Sequence, residues 1–119
     1  MLKIASSNTI LYCIHWDACV HFYQTILGFE LSFAKDEWFR ELIVNDGARI
    51  SLANVKHCTI PSGAGTGLTL SWQVEELEPL REHLVAQGVK VSEITSTSWR
   101  APWFYGWDPE GHRIEFWTL

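Results

Sequence analysis

Residues 108–116 read Asp-Pro-Glu-Gly-His-Arg-Ile-Glu-Phe, and the turn at their start decides how the rest of the chain is read. Asp, Pro and Gly at the first, second and fourth positions are the residues of a type I turn whose Gly takes a positive φ and forms a bulge. A three-residue loop of this kind pairs Asp108 with His112. Counting outward, Trp107 falls opposite Arg113, Tyr105 opposite Glu115 and Trp103 opposite Trp117, all on one side because side chains alternate along a strand. Phe104, Ile114 and Phe116 take the other side, an apolar set suited to packing beneath a helix.

An echo of this stretch lies upstream, where residues 45–52 read Asn-Asp-Gly-Ala-Arg-Ile-Ser-Leu. The same three-residue loop pairs Val44 with Ala48 and sets Glu41 opposite Ser51, with Phe39 and Ile43 on that side and Leu42, Ile50 and Leu52 on the other. A two-residue Asp46-Gly47 turn would slip the register by one and reverse one strand's faces. The bulged loop is favoured here because it keeps Leu42, Val44, Ile50 and Leu52 together. A second echo joins Phe22–Leu31 to Leu84–Val91, each the end of a helix, a Gly stop and the start of a strand. Gly28 and Gly88 are 60 residues apart, and Gly47 and Gly111 are 64 apart. Two copies of such a period make neither a solenoid nor a propeller.

Both copies run in the same order. Residues 8–14 and 68–74 fit strands, the second alternating Leu68, Leu70, Trp72 and Val74 with Thr69, Ser71 and Gln73. Asp17 caps a helix reaching about Leu27, with Val20, Tyr23 and Leu27 on one stripe and Gly28 ending it. A second helix covers about 77–87, with Leu77, Leu80 and Leu84 on one face and Gly88 ending it. Extended stretches follow at 29–34, 38–45 and 48–54, and again at 89–94, 100–108 and 112–118. Residues 59–67 (TIPSGAGTG) form the only linker-like stretch, dividing module one (about 8–58) from module two (about 68–119). A module of this size is marginal alone, so a single α+β domain over residues 1–119 is expected, built from two βαβββ modules forming a curled mixed sheet.

The chain has 119 residues and a formal net charge of −5, so nothing supplies the basic footprint that nucleic acid or an anionic membrane requires. No apolar run approaches a membrane span and the first residues lack a signal-peptide stretch, which leads to the expectation of a cytoplasmic protein. Cys13, Cys19 and Cys58 fit no disulfide scaffold and are read as free thiols. Cys13, His15, Cys19 and His21 invite a zinc reading, but Cys19 and His21 are two apart on a helix and point away from each other. They are read instead as small buried thiols and solvated imidazoles. Seven Trp are more than a core of this size needs. Five aromatic residues in Trp99–Trp107 cannot all be buried by one small core, which leaves Trp103, Tyr105 and Trp107 to a cavity or a partner surface.

Asp17, Phe22, Tyr23, Leu27, Gly28, Phe29 and Glu30, together with the ending Asp108–Phe116, resemble the glyoxalase, bleomycin-resistance and extradiol-dioxygenase superfamily, also called vicinal oxygen chelate. The resemblance covers nearly the whole chain. It implies that paired modules curl into half-barrels enclosing a cup-shaped site, and that a chain of this length forms a homodimer. Metal-binding relatives place ligands near the start of each module's first strand and in its last strand. Those positions fall here at about Asn8, Ser51, Thr69 and Glu115. Hydroxyls are poor ligands for a catalytic divalent ion, and one carboxylate without a His falls short of the usual three ligands. The metal site therefore reads as dismantled, with Glu41 and Glu115 left as carboxylates for a hard cation if a divalent metal is held at all.

The cup side is then expected to carry Asn8, Phe39, Glu41, Ser51, Thr69, Ser71, Gln73, Trp103, Tyr105, Trp107, Arg113 and Trp117 around Glu115. Glu115 itself is an ion-pair partner of Arg113, Arg49 or Arg100, or else a partly desolvated general base or cation receptor. Three functions remain open on this reading. The first is a metal-free aromatic pocket binding a small planar or cationic molecule. The second is a divalent-metal enzyme using Glu115 as lyase, isomerase or dioxygenase. The third is a dimeric interaction module whose aromatic face is the interface.

Overall fold

A computed structural model describes all residues, Met1–Leu119, and divides into two compact units, Met1–Gly63 and Ala64–Leu119. In the first unit β1 (Ser7–Cys13) leads into α1 (Trp16–His21), which continues as a π-helical turn over Phe22–Ile26, and then into β2 (Glu30–Lys35), β3 (Phe39–Asn45) and β4 (Ala48–Asn54). In the second, β5 (Thr69–Gln73), α2 (Leu77–Ala86), β6 (Thr95–Thr97), β7 (Arg100–Trp107) and β8 (Arg113–Trp117) repeat the order. The sheets have the matching orders β1-β4-β3-β2 and β5-β8-β7-β6, each with its first and last strands parallel and the rest antiparallel. This is the α+β pairing of βαβββ modules that the repeat implies.

The β7–β8 hairpin has the register expected from its turn: Trp107 opposite Arg113, Tyr105 opposite Glu115 and Trp103 opposite Trp117. Gly111 takes φ 103°, and the Asp108 amide bonds the His112 carbonyl at 3.0 Å. Asp108 locks the turn by accepting the amide N–H groups of Glu110, Gly111 and His112 on one oxygen and holding His112 Nδ1 with the other at 2.8 Å. Phe104, Ile114 and Phe116 are buried on the opposite face, and Gly106 beside them leaves room for the Phe116 ring, 3.3 Å from where a Cβ would stand.

The β3–β4 hairpin corrects one expectation. Asn45, not Val44, pairs with Ala48, so the loop has two residues, and Val44 forms a bulge that takes up the slip. Below the bulge Glu41 stands opposite Ser51 and Leu42 opposite Ile50, because one extra residue on one strand restores the alternation that a two-residue turn would have reversed.

Two helix details also differ from expectation. His15, not Asp17, occupies the cap position of α1, and Asp17 lies in the first turn, where a carboxylate still faces the positive helix end. The buried stripe holds Tyr23 as expected but is completed by Trp16, Cys19 and Phe22 in place of Val20 and Leu27. The Leu27 amide reaches back five residues to the Phe22 carbonyl, and this wider turn rotates the helix and leaves Leu27 half-buried. Trp16 fixes α1 to the sheet by donating its indole N–H to the Leu52 carbonyl at 2.8 Å.

The strand expected at 89–94 is displaced to Thr95–Thr97, with only Val91 bridging to Gly106. Ser92 accounts for this. Its amide still bonds the Tyr105 carbonyl, but its hydroxyl accepts the Tyr105 amide at 2.8 Å and its carbonyl is taken by Arg81 of α2, so side chains take up the return half of the ladder. The thiols of Cys13 and Cys19 are fully buried with their sulfurs within 4.8 Å, while His15 and His21 are exposed. No helix is long and apolar enough to cross a membrane.

Candidate functional site

The open face of the second sheet is a lattice three strands wide. Thr69, Arg113 and Trp107 form one row, Ser71, Glu115 and Tyr105 the next, and Gln73, Trp117 and Trp103 the third. All nine were expected on one side from turn chemistry and alternation, and the second sheet brings them together. Asn8, Phe39, Glu41 and Ser51 occupy the corresponding face of the first sheet.

Glu115 is the centre of the second lattice. One carboxylate oxygen accepts the Ser71 hydroxyl at 2.9 Å, and the other pairs with the Arg100 guanidinium at 2.5 Å. Burial pushes the carboxyl upward, but hydrogen bonds from Arg100 and Ser71 and the charges of Arg100 and Arg113 outweigh it and hold Glu115 below its ordinary value. The expectation that desolvation would raise it is therefore corrected: an unpaired carboxylate between aromatic walls would shift that way, and this one is paired. The hydrogen bond to Glu115 in turn raises the Arg100 value.

Every aromatic ring of β7 on this face carries a cation. The Arg100 guanidinium lies 3.9 Å from the Trp103 ring centroid, that of Arg113 4.4 Å from Tyr105, and the Lys90 ammonium 4.6 Å from Trp107. Arg113 is steadied further by donating its Nε–H to Thr69 Oγ1 at 3.0 Å.

Two recesses flank the lattice. One, of about 350 Å³, is lined by Ser71, Trp99, Arg100, Ala101, Glu115 and Trp117. The other, of about 460 Å³, is lined by Thr69, Trp107 and Arg113 with Gly65, Gly67, Leu68 and Gly111. The second is shaped by a close approach of two loops. A Cβ on Gly65 would stand 2.2 Å from the Gly111 carbonyl oxygen, and one on Gly111 would stand 2.8 Å from that of Ala64. Trp99, Arg100 and the glycine loop were not singled out as site residues from sequence. Arg100 appeared there only as one possible partner of Glu115.

On the first sheet the central position is Ser51, which is fully buried and donates to Asn8 Oδ1 at 2.8 Å. Asn8 Nδ2 donates to Glu41 at 3.3 Å, and the other Glu41 oxygen accepts from Ser32 at 2.8 Å. The result is a chain of hydrogen bonds from Ser51 to Ser32.

A sequence profile of the Glyoxalase/Bleomycin resistance protein/Dioxygenase superfamily matches residues 6–116, and the chain belongs to that superfamily. Among solved structures it is similar to an integron cassette protein from the mobile metagenome of a Halifax Harbour sewage outfall, with 26% identity, TM-score 0.75, and 96% of this chain and 97% of that chain covered. Two others share the fold. Lactoylglutathione lyase from Agrobacterium tumefaciens has 17% identity and TM-score 0.79, with 98% and 95% covered. TnmS3, an antibiotic-binding protein from Streptomyces sp. CB03234, has 18% identity and TM-score 0.80, with 99% and 98% covered. No curated protein matches the chain.

Proposed function

We propose that the chain is a small-molecule-binding member of the superfamily, taking a planar or cationic molecule against the aromatic lattice of the second sheet without the superfamily's divalent metal. The observation that carries this reading is the state of Glu115. Both of its oxygens are engaged, one by Ser71 and one by Arg100. A metal ion would have to displace a guanidinium already paired there, and the other positions offer only Asn8, Ser51 and Thr69. These residues do not fit a catalytic divalent ion. Glu41 does not supply the missing ligand, since Asn8 and Ser32 hold its two oxygens.

The lattice suits recognition. Trp103, Tyr105, Trp107 and Trp117 supply flat apolar area, and Ser71, Gln73, Thr69 and the charged groups supply the few polar contacts that orient a ligand. The fold itself serves both chemistry and binding in relatives, one a lactoylglutathione lyase and one an antibiotic-binding protein. The two units act in this reading as one domain over residues 1–119, in a cytoplasmic homodimer.

The test is the thermal midpoint of chelator-stripped protein titrated separately with Zn, Ni, Mn, Fe(II) and Mg. Binding to the folded state alone raises the midpoint. The expected result is no saturable rise with any ion. A saturable rise that disappears in Glu115→Ala overturns the metal-free reading and puts the lyase, isomerase or dioxygenase alternative in its place.

A further inference from the structure

The recess beside Trp107 is lined by Arg113, and Lys90 lies over the Trp107 ring, in a chain whose net charge is −5. The ion pairs of the protein are Lys35–Asp36, Arg81–Glu93, Arg100–Glu115 and His112–Asp108, so neither Arg113 nor Lys90 is in one. Carboxylates on the neighbouring strand and turn are already engaged. Glu115 is held by Arg100 and Ser71, and Asp108 by three backbone amides and His112. Glu110 is buried and has a partner of its own. Arg113 on the wall of the recess and Lys90 over the ring of Trp107 thus stand outside the ion pairs of an acidic protein, a local field that draws anions and repels cations.

The geometry adds direction to the charge. Thr69 takes the Nε–H of Arg113, and Tyr105 lies under the guanidinium plane. The two terminal nitrogens are left as a fixed fork, which matches a carboxylate in bidentate fashion. Trp107 lies directly across the strand pair from Arg113 and is partly exposed, with Lys90 over its ring. The volume of about 460 Å³ is that of a small-ligand site. An acidic peptide or nucleic acid would need a longer track of cations than Arg113 and Lys90 provide.

We propose that this recess takes a small aromatic carboxylate, its ring against the Trp107 indole and its carboxylate on the Arg113 fork, with Lys90 as the second cation. This deepens the binding reading above and rests on it. It also keeps the planar ligand and sets aside the cationic one: an anion meets cations outside any ion pair, whereas a cation meets a carboxylate that Arg100 already neutralises.

The experiment is calorimetric titration of the full chain with three probes sharing one ring system: naphthoate, naphthamide and naphthylmethylammonium. Naphthoate is expected to bind at least about tenfold more tightly than naphthamide, and naphthylmethylammonium most weakly, as charge-assisted bonds exceed neutral ones. Raising the ionic strength should erode the naphthoate affinity alone. Arg113→Gln should bring naphthoate down to the level of naphthamide and leave naphthamide unchanged, and Arg113→Lys should restore part of the difference. Arg113 is exposed, so both variants are expected to fold, and thermal unfolding verifies that. Equal binding of all three probes, or a naphthoate preference that survives Arg113→Gln, overturns the anion assignment and leaves the planar-ligand reading standing. Tighter binding of the ammonium overturns it in favour of a cation. Failure of all three to bind removes the planar-ligand reading and this inference with it.

Discussion

At the centre of the first sheet Ser51 is fully buried and passes a neutral hydrogen bond to Asn8, whereas at the equivalent place in the second sheet Glu115 is partly exposed and holds Arg100. Around these centres the strand pairings are the same. Asn8, Arg49 and Ile43 answer Thr69, Arg113 and Trp107, and Tyr12, Ala53 and Phe39 answer Gln73, Trp117 and Trp103. The backbone repeats while the chemistry diverges. One face carries the hydrogen-bonded chain Ser51–Asn8–Glu41–Ser32 among Ile10, Ile43, Phe39 and Tyr12, and the other carries indoles under cations. A shared register therefore fixes where side chains stand and leaves free what they do there, and the proposed binding function falls to the second unit.

The sharpest way to break this comparison is to exchange the centres. Ser51→Glu puts a carboxylate at a position with no exposed surface, and its expected cost is about 3 kcal/mol or more in denaturant unfolding. Glu115→Ser, the reverse exchange, removes a partly exposed pair and is expected to cost far less. Comparable losses from the two variants would mean the centres are equivalent after all.

The hairpin glycines give the next contrast. Gly111 has φ 103° and meets the Ala64 carbonyl, while Gly47 has no positive φ and nothing within 4 Å of an added Cβ. Gly111→Ala is expected to cost about 2–3 kcal/mol and Gly47→Ala within about 0.5 kcal/mol, each read from the unfolding midpoint. An equal cost at both would show that the second turn does not depend on the close approach.

The smallest effect is in pH. The folded-state value of Glu115 is depressed, so its contribution to stability is present above the ordinary carboxylate range and is lost as pH falls through the folded value. Glu115→Gln should flatten the acid limb of the stability curve and leave its alkaline limb in place. An unchanged acid limb would mean that the pair with Arg100 stabilises nothing.

Much of the second lattice was legible because the Asp108–Gly111 turn fixes a register and alternation does the rest. In the first hairpin the same reasoning placed Glu41 opposite Ser51 but missed the bulge at Val44, since a slip and its correction leave the far register unchanged. Arg100 was less legible. Simple alternation puts it on the Phe104 side, but the β6–β7 register shifts between Thr95 opposite Trp103 and Thr97 opposite Arg100. The extra residue on β7 falls at Ala101–Pro102, and such a bulge turns Arg100 to the face of Trp103 and Glu115. The recess beside Trp107 was not legible, because it depends on residues 64–67 packing on residues 108–111. Neither periodicity nor turn chemistry records a contact between two loops.

That contact has a consequence for descent. Gly65 and Gly111 each occupy the space where the other's neighbourhood would meet a side chain, so neither position is open to drift by single steps, and a change at one does not make room for a change at the other. The floor of the recess is therefore expected to resist change, and under the proposed function new ligand preferences would arise at its walls, at Thr69, Trp107 and Arg113, by repainting a fixed vessel.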